Sequence, residues 1–227
     1  MLYIVSTPIG NLKDMTFRAV EVLKSVDLIA SEDTRHTGIL LKHFGIQTPQ
    51  TSYFEHSRNN KEEYLIGLLK EGKSVALVSD AGTPAISDPG YRLVRAAREQ
   101  GIEVTAVPGA CAAVVALSLS GFPTDRFVFE GFLPQKSSGR VRRLTELKSE
   151  ERTIVLYESP HRLVKALGDI AEVLGNPHVM VGRELTKKFE EVRQGDARSV
   201  SEHFMSRKPK GEVVILISQR EELFHQD

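Results

Sequence analysis

Short, nearly continuous apolar runs alternate with helix-period segments along the first half of the chain, and that rhythm leaves few folds open. The runs stand at Leu2–Ser6, Asp27–Ala30, Ser74–Ser79 and Ile102–Val107, with a weaker one at Thr51–Phe54. Between them Phe17, Val20 and Leu23 recur at helical spacing, as do Tyr64, Leu65, Leu68 and Leu69. A strand covered by helices on both faces reads as an unbroken Val/Ile/Leu run, so the alternation predicts a mostly parallel, doubly wound α/β sheet. Ligands on such sheets bind beyond the carboxyl ends of the strands, which directs the search for chemistry to the loops there.

The rhythm breaks at Ser120-Gly121-Phe122-Pro123-Thr124. A second set of runs follows at Arg126–Leu133, Thr153–Tyr157, His178–Val181 and Val213–Ser218, with a helix marked by Leu163, Leu167, Ile170 and Leu174. The stretch Phe189–Gly195 reads as one more strand, which makes the second sheet mixed. Two α/β domains are therefore expected, 1–121 and 122–227, with a cleft between them suited to a small ligand. A chain of 227 residues has room for both.

Composition removes several classes of function. One cysteine, Cys111, excludes an intrachain disulfide and a cysteine-based zinc site; set among alanines, it reads as a small buried hydrophobe. Thirty Lys and Arg balance thirty Asp and Glu, so any contact with nucleic acid must come from a local patch. The histidines form no ligand set, and no metal is expected. No apolar run approaches the ~18 residues of a membrane span, and Met1–Ser6 lacks the basic start of a signal peptide. A cytoplasmic location without a membrane follows as an expectation.

Gly67-Leu68-Leu69-Lys70-Glu71-Gly72-Lys73-Ser74 fits the phosphate-loop pattern of GxxxxGK followed by Ser or Thr. That pattern works only where a strand enters and a helix leaves, because the helix N-terminus must face the phosphates. Here a helix enters and a strand leaves, so Gly72 is expected to close a helix-to-strand turn.

Four loops carry more chemistry than a connection needs. Ser79–Gly90 follows a buried strand, and Asp80 at its start is placed to accept hydrogen bonds from a ribose or an amino group, whereas Asp88-Pro89 reads as a helix cap and first turn. Val107–Ala113 is a run of small residues against which a flat group such as adenine can lie. Gly182–Lys188 gathers Arg183, Glu184 and Lys187 at a strand end. Glu32–Thr37 offers a cap at Asp33 or Thr34 beside Arg35.

Tyr3–Leu12, Glu32–Thr37, Ser79–Gly90, Phe129–Pro134 and Tyr157-Glu158-Ser159 together resemble the tetrapyrrole methylase superfamily, over nearly the whole chain. The glycine-rich first loop of the tetrapyrrole enzymes is replaced by Pro8-Ile9-Gly10-Asn11, which favours the branch that methylates a cytidine 2′-hydroxyl of small-subunit (16S) ribosomal RNA. The resemblance implies S-adenosylmethionine as cofactor and a homodimer. It places donor contacts on Pro8, Gly10, Asp80, Ala81, Gly82, Thr83, Pro84, Pro108, Gly109, Ala110, Ala112, Ala113, Leu185 and Gly211. Rival readings are a methyltransferase for a small molecule such as a tetrapyrrole and an RNA-binding module without catalysis.

A ribose hydroxyl is a poor acid, so transfer to it gains from a positioned base or an electrostatic stabiliser. Asp33, Glu184 and Lys187 are the candidates, and a partly desolvated lysine beside a sulfonium is expected to have a lowered pKa. RNA contacts are expected from Lys136, Arg140, Arg142 and Arg143, from Arg207–Lys210, and from Arg35 and His36.

Overall fold

The computed structural model describes residues 1–54 and 59–219. The chain divides into two compact units, Met1–Cys111 and Ala112–Asp227.

The first unit runs β1 (Leu2–Val5), α1 (Phe17–Ser25), β2 (Leu28–Ser31), α2 (Thr34–His43), β3 (Gln50–Ser52), α3 (Asn59–Lys70), β4 (Val75–Val78), α4 (Tyr91–Glu99) and β5 (Val104–Val107). The strands are all parallel in the order β3-β2-β4-β1-β5. Alternate residues of β4 feed opposite cores. Ala76 and Val78 meet Ala19 and Leu23 of α1 and Leu40 and Leu41 of α2. Val75 and Leu77 meet Leu65 and Leu69 of α3 and Leu93 and Ala97 of α4. The neighbours β1 and β4 thus send their chains to helices on opposite faces, and such a parting opens a crevice at the strands' carboxyl edge.

Three local expectations meet their test here. The phosphate-loop look-alike is a helix-to-strand turn: α3 ends at Lys70 and Gly72 has φ +83°. The Gly72 and Lys73 N–H groups donate to the carbonyls of Leu69 and Leu68 at 3.2 and 3.1 Å, closing the helix C-terminus. Phe17, Val20 and Leu23 do share one helix, but Phe17 opens α1 at 91% exposure and is not part of its buried stripe. The buried stripe of α1 is Ala19 and Leu23, and Thr16 caps the helix by accepting from Ala19 N at 3.1 Å. Asp88-Pro89 does not start α4. The helix begins at Tyr91 with Gly90 as its cap at φ +143°, where a Cβ would stand 2.8 Å from Leu77 Cδ2. The loop lies so close on the sheet that only glycine fits at the turn.

The second unit runs α5 (Ala112–Ser120), β6 (Phe127–Phe132), α6 (Ser137–Glu146), β7 (Thr153–Glu158), α7 (Leu163–Val173), β8 (His178–Arg183), β9 (Glu191–Asp196), α8 (Ala197–Met205) and β10 (Val213–Ser218). Its order is β6-β7-β10-β8-β9. Only β6 and β7 are parallel, so the sheet is mixed. Leu144 of α6, Leu163, Leu167 and Ile170 of α7, and Val200 and Phe204 of α8 cover Ile154, Leu156, Val179, Val181 and Ile215 on one face. The sequence division was expected after residue 121, whereas the structural division precedes α5, which packs on β10 and β7. No helix of the described residues is long and apolar enough to cross a membrane.

Gly90→Ala introduces both a strained φ and a collision with Leu77. We expect it to lower unfolding stability by about 2 kcal/mol, read from urea titration, with an unchanged far-ultraviolet spectrum.

Candidate functional site

Because β4, β1 and β5 are adjacent and parallel, the loops after them leave side by side. Thr7 and Gly82 exchange backbone hydrogen bonds at 2.8 and 3.2 Å as an isolated bridge, and Thr7 Oγ1 donates to Ser79 O at 3.2 Å. Thr83 Oγ1 donates to Ala110 O at 3.2 Å, which leaves Ser6 Oγ to donate to Thr83 Oγ1 at 3.0 Å. A Cβ on Gly109 would stand 2.8 Å from Ser6 Cβ, and one on Gly82, at φ +80°, 3.3 Å from Ile9 Cγ2. The small residues of these loops therefore serve first to let the loops touch one another. Pro108, Gly109 and Gly10 remain exposed and Ala110 partly so, while Pro8 and Gly82 are buried. The result is a ledge of three loops tied to one another, with Gly10, Pro108 and Gly109 facing solvent.

Asp80 ends the β4 side of this ledge. Its Oδ1 accepts the Asp33 N–H at 3.1 Å, which ties the loop after β2 to the loop after β4. Asp33 caps α2 and accepts from Arg35 N at 2.8 Å, from Arg35 Nε at 3.1 Å and, through Oδ2, from a guanidinium N at 2.6 Å. Those Arg35 hydrogen bonds hold the Asp33 carboxyl far below the usual carboxylate range. Asp33 is consequently a weak proton acceptor, suited to anchoring Arg35 rather than to serving as a base. Arg35 and His36 are exposed at the start of α2.

The loop after β8 is built on conformations that most residues avoid, with φ +51° at Glu184 and +67° at Thr186. Glu184 Oε1 accepts from Lys187 Nζ at 2.8 Å and from Glu212 N at 3.0 Å, and Lys187 Nζ also reaches Glu212 Oε2 at 2.9 Å. Gly211, at φ +88°, lies under the Glu184 carboxylate, and any Cβ there would collide with it. Leu185 is buried with its methyls against Gly182, and Thr186 Oγ1 is buried without a partner. The expected lowering of the Lys187 pKa is reversed. Burial pulls it down, but hydrogen bonds and charge from Glu184 and Glu212 outweigh burial and raise it. Burial likewise opposes ionisation of Glu184, and the Lys187 ammonium and the Glu212 N–H outweigh that and lower its pKa. Lys187 is a fixed cation at neutral pH, so it can stabilise negative charge but does not accept a proton.

The basic stretch expected to meet RNA is largely consumed inside its own unit. Arg140 is only 4% exposed and donates to Asp169 at 2.5 Å and to Gln135 O at 3.4 Å, so it is a structural residue and not an RNA contact. Arg143 grips both Glu130 oxygens at 2.8 Å and Glu146 at 2.6 Å. The helical period turns Arg140 toward α7 and Arg143 toward β6, which leaves Arg142, with Lys136 before it, in solvent. Arg207 lies 3.9 Å from Glu191, and Lys208 and Lys210 are exposed. Among the described residues no group of three His, Cys, Asp or Glu side chains could hold a metal; His56 and His225 lie outside them.

Sequence reasoning named Thr83 and the segments holding Ser6 and Tyr157 but missed three contacts. Glu212 is the second arm of the Lys187 clamp, Tyr157 Oη accepts from Ala113 N at 3.3 Å, and the Ser6–Thr83 hydroxyl pair stitches two loops. Each acts on a partner 25 or more residues away, and no local pattern announces that.

Comparison with known proteins places this geometry. The family described as Tetrapyrrole (Corrin/Porphyrin) Methylases matches residues 1–201. A protein of Synechocystis named ribosomal RNA small subunit methyltransferase I is 53% identical over 96% of this chain and 78% of its own length. Its namesake in Thermotoga maritima is 48% identical over 97% of this chain and 99% of its own length. Among solved structures, the uroporphyrin-III-C-methyltransferase of Thermus thermophilus aligns at TM-score 0.67 and 21% identity, covering 96% of this chain and 94% of its own. A diphthine synthase aligns at TM-score 0.75 and 15% identity, covering 96% and 89%. At those identities the two structures show the fold.

Arg140→Ala leaves Asp169 with an unpaired, mostly buried charge and should cost about 3 kcal/mol in urea unfolding, whereas Arg142→Ala should stay within about 0.5 kcal/mol of the parent. The clamp also fixes a pH dependence. The Glu184 pKa lies below its ordinary 4.5 in the folded chain, so its contribution is complete above that value and lost as pH falls through the folded pKa. The stability advantage of the parent over Glu184→Gln should therefore be present at pH 7 and shrink toward about pH 3, as read from urea midpoints at the two values.

Proposed function

The chain belongs to the tetrapyrrole methylase family, and from that premise we propose that it transfers the methyl group of S-adenosylmethionine to a cytidine 2′-hydroxyl of small-subunit (16S) ribosomal RNA. The observation that carries this reading is the stitched ledge formed by the loops after β1, β4 and β5, which we read as the surface for the adenosine. The substrate class follows the names of relatives that match at about half identity over nearly the full chain.

The residues fit the donor. Asp80 keeps one carboxylate oxygen beyond the one given to Asp33, and the exposed Pro108–Gly109 backbone lets a flat ring approach closely. Ala81, Thr83, Pro84 and Ala110, with Pro8 and Gly10 of the loop after β1, are the further contacts we assign to the donor in the first unit, and Ala112 and Ala113 those in the second. We extend the same reading to Leu185 and Gly211, where Thr186 Oγ1 stands ready as a further polar contact. When bound, the donor supplies an activated sulfonium methyl and a thioether leaving group.

What remains for the protein is alignment of the ribose oxygen and control of its charge. We assign the second task to Lys187. Clamped by Glu184 and Glu212, it stays protonated and stabilises negative charge as the hydroxyl proton departs to water. Lys136, Arg142, Lys208 and Lys210 are exposed cations assigned to RNA phosphates, and Arg35 and His36, exposed at the start of α2, are assigned to the same partner. A homodimer in the cytoplasm completes the proposal.

Calorimetry should show one S-adenosylmethionine site per chain, weakened at least about tenfold by Asp80→Ala. Lys187→Met should lower the rate of labelled methyl transfer to unmodified small ribosomal subunits by about a hundredfold while donor affinity holds. Transfer to a tetrapyrrole instead of RNA, or donor binding without transfer, would overturn the assignment.

A further inference from the structure

The Phe129–Pro134 segment has no part in the donor ledge, yet its backbone is specialised. Strand β6 pairs with β7 through Phe129↔Val155, then Gly131↔Leu156 and Phe132↔Tyr157, so Glu130 is the extra residue of a β-bulge and Gly131 takes φ +64°. A one-residue insertion turns every later side chain to the other face. Without it Gly131 would oppose Tyr157. With it Phe132 joins Phe129 and Tyr157 on the face opposite the helix-covered core, while Glu130 is engaged by Arg143. Tyr157 holds the group together, with ring centroids 5.0 Å from Phe129 and 5.9 Å from Phe132, both edge to face. Phe129 and Tyr157 are partly buried; Phe132 is 55% exposed.

We propose that Phe132 is a stacking platform for an unpaired nucleobase of the substrate RNA, aimed by the Glu130 bulge and braced from behind by Tyr157. The proposal rests on the RNA-methylation reading and names a recognition residue for it. Charge argues for a nucleic acid over an apolar peptide. Leu133 is buried and Pro134 abuts Gly139, at 3.1 Å from where its Cβ would lie, so the start of α6 is held close after the strand end. That start presents Lys136, and Arg142 follows, both exposed and without an ion pair among the described residues, while Arg140 and Arg143 are neutralised. An exposed ring with free cations following it is the pattern by which proteins hold single-stranded RNA, base on ring and phosphate on cation.

Phe132→Leu keeps apolar bulk and removes the flat ring, and Phe132→Trp restores it. The measurements are KM for unmodified small subunits, donor affinity by calorimetry, and quenching of 2-aminopurine fluorescence in a single-stranded RNA on binding. Phe132→Leu should raise KM about tenfold and abolish the quench, with donor affinity intact, and Phe132→Trp should lie within about twofold of the parent. Equal KM and equal quenching in parent and Phe132→Leu would overturn the proposal while methyl transfer stood. Equal impairment by Leu and Trp would also overturn it, in favour of an apolar protein contact. A parent that quenches but transfers no methyl group would overturn the methylation reading and leave the stacking platform standing.

Discussion

The exchange of backbone hydrogen bonds between Thr7 and Gly82 is the contact on which the first unit's site depends. The chains leaving β1 and β4 pass to opposite faces of the sheet, and parting chains would ordinarily leave two independent, mobile loops. The bridge prolongs the sheet by one step beyond the strands and makes the loops one object. The hydroxyls of Ser6 and Thr83 then carry the connection to Ala110 after β5. Since each of these groups is satisfied by protein, the ledge is formed before any ligand arrives, and binding need not be charged with ordering it.

The second unit reaches rigidity by a different route. Its loop after β8 accepts unfavourable φ values at Glu184 and Thr186, each costing of order 1–3 kcal/mol, to bring one carboxylate over Gly211 and against Lys187. Charge offsets strain. A lysine held by two carboxylates has its ammonium fixed in position and in protonation state, which is what an electrostatic stabiliser requires and the reverse of what a base requires. The same residues read as bare sequence allow either role, because the decisive partner, Glu212, arrives from the start of β10.

Much of the fold was legible because it rests on period and punctuation. Every apolar run became a strand, Leu163, Leu167 and Ile170 became the buried stripe of α7, and Gly72 closed the turn that disqualified the phosphate-loop pattern. The meeting of the loops after β1, β4 and β5 was legible too, since a parallel sheet gathers such loops at one edge. What failed was local reading of charge and of caps. Asp88-Pro89 had the right residues for a helix start, but close approach to Leu77 moved the start to Gly90. Phe17 fell at a helical interval yet faces solvent, because the stripe of α1 is set by Ala19 and Leu23. Arg140, Arg142 and Arg143 looked equivalent in a row, and the helix dealt them to three different surroundings.

That last separation bears on how a chain with no net charge would hold a polyanion. A guanidinium held within its unit by carboxylates is withdrawn from phosphate, as Arg140 and Arg143 are. Binding by charge alone scales with the number of phosphates neutralised and falls steeply with salt. With Arg140 and Arg143 withdrawn, the start of α6 offers Lys136 and Arg142 and would gain little from that source. Selectivity must then come from shape and from contacts that persist in salt, of which an exposed aromatic ring is the simplest. The bulge that consumes Glu130 against Arg143 also turns Phe132 outward, so the feature that removes a cation from the surface is the one that puts a ring there.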